Sequence, residues 1–205
     1  MDELFEGFKE IPKPNYIDKT DYKFVRAGLE SSGVIFDSGL TAKEFKLIEK
    51  EYNFCFPPDL REFLSKGLPV SAGWINWGRN NKNKILEMLN YPYDGLCFDV
   101  EYGNLWQKSW GEKPKEIKDR LNKLKELVAK APKLIPIWNH NYIPNLPQEE
   151  GNPVLSVCQS DIIYSAINLE NSLYRNFHLE HNMPTNEPNK RINFWTDIVE
   201  NYETN

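Results

Sequence analysis

The chain has 205 residues, of which 40% are hydrophobic, including 11 Phe, 10 Tyr and 6 Trp. That supply is enough to close a core and too apolar for a disordered chain. The formal net charge of -5 works against a general nucleic-acid binder, whose affinity rests on a cationic footprint that displaces phosphate counterions.

In chain order, Pro12 and Pro14 break up an irregular N-terminal arm. A short helix is predicted from Asp21 to Leu29, then a brief strand or extended lead-in at Gly33 to Phe36. Thr41 and Glu44 stand at the two positions of a capping box. Phe45, Ile48 and Tyr52 then recur at three- and four-residue spacing, which predicts an amphipathic helix. Pro57 and Pro58 end it and open a second helix, with Leu60, Phe63 and Leu64 inward and Gly67 at its stop. The link from Phe54 to Phe56 is expected to be buried between the two helices.

Residues 68–77 predict a strand or an ordered loop that carries Trp74 and Trp77. Asn80 to Asn90 returns to helical spacing, with Ile85, Leu86 and Leu89 inward and an end at Tyr91, Pro92 and Tyr93. Residues 96–100 suit either a strand or a short helix. Pro114 is expected to open the longest helix, along a stripe of Ile117, Leu121, Leu124 and Val128. Its other face is rich in lysine, and interleaved acids make a solvated surface the expected role. Strands follow at 133–138 and 154–157, separated by a polar turn at 139–144. Asn168 can cap a helix bearing Leu169, Leu173 and Phe177. Residues 182–190 are expected to form a surface loop, and residues 194–202 a final helix. Helices and strands mixed in this way predict one α+β domain over residues 1–205.

Chemistry-bearing patterns are sparse. The three cysteines, Cys55, Cys97 and Cys158, are far apart in sequence and form no short metal or redox motif. Their apolar or uncharged neighbours predict buried free thiols. His178 and His181 share one helical side, yet two ligands fall short of a zinc site. His140 lies in a turn and would act as a general base only if a nucleophile approached it. A hydrolase centred on His140 is thus one alternative reading, and a structural or regulatory scaffold is another. No phosphate loop, dinucleotide fingerprint, zinc-protease helix, nucleophile elbow or calcium loop occurs. No cofactor or metal is expected. The acidic opening Met1, Asp2 and Glu3 is unlike a secretory signal, and no apolar run is long enough for a bilayer span. Cytoplasmic residence and the absence of a membrane partner are the corresponding expectations.

The candidate site is a contact surface. Asp94, Asp99 and Glu101 cluster where residues 94–112 balance to -3. Such a patch suits a cationic partner. Trp77 and Trp110 are each followed by glycine, which predicts turn positions. Exposed indoles there would supply contact area at low entropic cost. These five residues form the candidate protein-binding set.

Several of these segments resemble one family. They are the capped helix from Leu40 through Thr41, Glu44 and Phe45 to Tyr52, and the helix opening at Pro57, Pro58, Asp59 and Leu60. Trp74 to Trp77, Gly95 to Val100 and the region from Leu134 to Ser165 extend the likeness. In that order they resemble the SMI1/KNR4 family of the SUKH superfamily, bacterial immunity-type members above all. The resemblance covers roughly residues 40–165, leaving an N-terminal arm and a C-terminal helical extension. It implies a central, mostly antiparallel sheet with helices packed around it. It also implies a protein that binds and neutralises a cognate toxin, often a nuclease or deaminase. It transfers no catalytic residues.

Overall fold

The computed structural model describes residues 20–78, 81–179 and 190–201. The arm up to residue 19, the loop at 182–189 and His181 lie outside these residues.

The first helices form where capping and periodicity coincide. Helix α1 (Tyr22–Ser31) is capped by the Asp21 carboxylate, which accepts from the Lys23 N–H at 2.9 Å. Helix α2 (Ala42–Tyr52) begins in the expected capping box, where the Thr41 N–H donates to Glu44 at 2.8 Å. Helix α3 (Pro58–Lys66) starts on proline, which loses no helical N–H at that position. Phe54 and Phe56 turn inward between α2 and α3, as expected, while Cys55 points outward. Strand β1 (Phe36–Asp37) pairs with β2 (Leu68–Pro69) in a two-residue antiparallel ribbon. Beyond β2 the chain is an ordered loop that meets the main sheet through a Trp74–Trp138 bridge.

The main sheet is antiparallel, in the order β3 (Leu134–Trp138), β4 (Asn141–Pro144), β5 (Val154–Cys158), β6 (Asp161–Ala166). The α+β class with helices around an antiparallel sheet is therefore as expected. Residues 141–144 are a strand rather than a polar turn, because Asn141 and Tyr142 pair with strands on both sides, and Tyr142 and Ile143 are fully buried. Residues 159–160 form a tight hairpin turn leading into β6, a strand that periodicity did not reveal. Along the strands, side chains alternate between two cores. Ile135, Ile137, Ile143 and Val154 join the core built with α1, α2, α3 and α6 (Leu169–Asn176). Leu134, Tyr142, Leu155 and Val157 join the core built with α4 (Lys82–Glu101), α5 (Ile117–Val128) and α7 (Trp195–Asn201). Both faces of the sheet are thus covered.

Helix α4 departs most from expectation. It spans 20 residues and continues past Pro92. Residues 96–100 are its C-terminal turns, not a strand. It, and not α5, is the longest helix among the described residues. Proline in a helix interior removes one N–H and leaves the carbonyl four residues earlier without a partner. Here that carbonyl belongs to Met88, and the Tyr142 hydroxyl donates to it at 3.1 Å. A residue far away in sequence therefore repairs the break. In α5 only Leu124 is fully buried, and Ile117, the expected first member of its stripe, is 36% exposed.

Candidate protein-binding surface

Packing fixes which side of α4 meets solvent. Ile85, Pro92, Leu96 and Val100 are buried, each of the aliphatic ones contributing about 2 kcal/mol of apolar transfer. The helix rests on β3, β5 and α5. Gly95 lies under the β5–β6 turn, where an added Cβ would stand 2.7 Å from the Gln159 Cα. One turn further on, the Asp99 carboxylate accepts from the Ser160 N–H at 2.8 Å.

The opposite side carries Glu87, Tyr91, Asp94, Phe98, Glu101 and Tyr102, all exposed. Phe98 is 50% exposed and Tyr102 69%. Their rings touch, with centroids 5.0 Å apart. The Glu101 carboxylate, by hydrogen bonding and by its charge, holds the Tyr102 phenol above its ordinary pKa. Glu87 is paired with Lys84 at 2.8 Å in the open solvent, an arrangement of small energetic weight.

The five expected site residues separate into three kinds. Asp94 and Glu101 lie together on this exposed face. Asp99 is half-buried and spends its carboxylate on the hairpin turn, so it belongs to the scaffold beneath the face. Trp77 lies in a loop as expected and Trp110 ends a single 3-10 turn (Lys108–Trp110), but their rings are buried, 4% and 3% exposed. Trp77 packs edge-on against Phe54, Phe56 and Tyr52. Trp110 stacks on Phe194 and meets Trp106 edge-on. Both loops cross the rim of a core, so the indoles turn inward where they bury most apolar area. On this face of α4 the exposed rings are instead Tyr91, Phe98 and Tyr102. Helical spacing from Asp94 identifies them, had residues 91–102 been read as one helix.

The remaining candidates stay apart. His140 is exposed at the β3–β4 turn, and its carbonyl accepts from the Val157 N–H. Among the described residues, no group of three or more His, Cys, Asp or Glu side chains could hold a metal. The thiols of Cys55 and Cys158 are exposed and that of Cys97 is half-buried, so the buried set predicted from apolar neighbours is not what the fold makes. No described helix is long and apolar enough to cross a membrane. A cleft of about 590 Å³ lies between α2 and the start of α4. Leu47, Ile48, Tyr52, Trp77 and Ile85 line it, and the Lys82–Glu51 ion pair, 2.6 Å long, stands beside it.

The fold and this surface define an α+β domain with an acidic, aromatic helix face. No family model, curated protein or solved structure matches the chain.

Proposed function

We propose that this chain is a non-catalytic protein-binding domain whose exposed α4 face takes a cationic protein partner. The observation that carries the reading is the pair Phe98 and Tyr102. Both rings stand in solvent, Phe98 between Asp94 and Glu101 and Tyr102 directly after Glu101, while Trp77 and Trp110 are packed away. Exposed aromatics beside fixed charge combine contact area with electrostatic steering. The resemblance to SMI1/KNR4 proteins adds the biological form of the proposal, an immunity protein that neutralises a cognate toxin. A nuclease, with its basic nucleic-acid-binding surface, is the kind of toxin whose charge fits.

Co-expression with the product of an adjacent toxin-like reading frame tests the proposal. Relief of toxicity and co-purification are expected for the native chain. Phe98→Ala with Tyr102→Ala, which empties no core, is expected to abolish both. Protection that survives this double substitution removes the α4 face from the function.

A further inference from the structure

The exposed side of α4 is periodic as well as acidic. Glu87, Asp94 and Glu101 are spaced seven residues apart, and so are Tyr91 and Phe98. The two series interleave at steps of four and three along one face, and every member is exposed. At 1.5 Å per residue, each series repeats about every 10.5 Å along the axis. A spacing of 3.5 residues keeps a seam facing a second helix that lies nearly parallel to it.

We infer that the partner docks on α4 through a basic amphipathic helix, with cations opposite Glu87, Asp94 and Glu101 and apolar side chains opposite Tyr91, Phe98 and Tyr102. This deepens the protein-binding reading and rests on it. A strand is a poorer match, because its same-face side chains recur about every 6.6–6.8 Å and fall out of step with a 10.5 Å repeat. A second copy of the same face is also a poor match, since it would set carboxylates such as Asp94 against one another while Lys84 is already engaged by Glu87. Anionic lipid and nucleic acid meet the same repulsion.

The test uses the full chain and two fluorescent 21-residue peptides of identical composition. One places arginine and leucine at heptad spacing. The other places the same residues on alternate positions. Anisotropy titrations are expected to show the heptad peptide binding at least about fivefold more tightly, the scale of a single contact worth 1 kcal/mol. Phe98→Ala is expected to weaken it by a similar factor. The combination Glu87→Gln, Asp94→Asn and Glu101→Gln is expected to weaken it and flatten its salt dependence. Equal binding of the two peptides overturns the helix assignment, as does no binding of the heptad peptide, or heptad binding that is insensitive to Phe98→Ala. Toxicity relief that still depends on Phe98 and Tyr102 would then leave the protein-binding surface standing without the helix.

Discussion

The Tyr142 hydroxyl donates to the Met88 carbonyl, the acceptor that Pro92 leaves without a helical partner. Tyr142 is fully buried in the sheet and Met88 is half-buried, so the repair is partly shielded from water. Without it, α4 would carry a partly buried carbonyl with no protein donor at the turn from which its exposed face projects. Tyr142→Phe is expected to cost about 1–2 kcal/mol of stability. In a Pro92→Ala background the new N–H can take the Met88 carbonyl, and the same change is expected to cost much less. Urea unfolding of the four chains measures this coupling. Fully additive effects would show that the hydroxyl does not serve the proline break.

The acids of α4 are expected to behave differently although they are close in sequence. Asp99 accepts from the Ser160 N–H and ties the β5–β6 turn to the helix. Asp99→Ala is expected to lower stability by about 1.5–3 kcal/mol, the range for a hydrogen bond to a charged group. Asp94→Ala and Glu101→Ala, both on the exposed face, are expected to stay within about 0.5 kcal/mol of the native chain. Partner affinity should rank the other way, with Asp94 and Glu101 the more sensitive. Thermal melts together with binding titrations separate the two roles.

Asp59 links α3 to the loop before β5. It is 4% exposed and accepts from the Leu60 N–H at 2.8 Å and the Gly151 N–H at 3.1 Å. Burial is the largest influence and raises its pKa; those two N–H groups oppose it, and the nearby Glu150 charge adds to the rise. The folded state therefore holds this proton more tightly than the unfolded chain. Its contribution to stability is complete below the ordinary aspartate value of 3.8 and is lost as pH rises through the higher folded value. Asp59→Asn is expected to flatten this part of the stability curve. Urea midpoints followed upward from about pH 4 give the comparison. An unchanged slope would assign the pH dependence to other groups.

The thiols are expected to react in two classes. Cys55 and Cys158 are exposed, while Cys97 is half-buried and burial raises its pKa. Because the thiolate is the reactive form, an aromatic disulfide reagent at neutral pH should label two thiols rapidly in the native protein. The third should follow more slowly and speed up in denaturant. Three equally slow thiols would contradict the exposed positions of Cys55 and Cys158.

Much of the helical layer was legible from local chemistry. Asp21, the Thr41–Glu44 box, Pro58 and Asn168 act within one turn of where they stand, so capping and periodicity locate α1, α2, α3 and α6. The errors share a cause. Pro92 reads as a helix stop because its missing N–H is a local defect, whereas its remedy, Tyr142, lies 54 residues away along the chain. Residues 141–144 read as a turn because asparagine and proline flank them. Two neighbouring strands satisfy their backbone, and sequence does not display those strands as neighbours. The candidate site was half legible for the same reason. Asp94 and Glu101 were found from charge, but their aromatic companions Phe98 and Tyr102 share their face only if α4 continues past Pro92.

By itself, the sequence determined the class of fold, the ends of the capped helices and the acidic character of residues 94–101, because each depends on neighbours within a few positions. Only the tertiary structure decided which aromatic rings meet solvent. An indole and a phenyl ring gain alike from burial, so the choice falls to whichever loop or helix face the two cores leave room to cover. Trp77 and Trp110 sit on loops that close those cores. Phe98 and Tyr102 sit on the side of α4 that nothing in the described fold reaches.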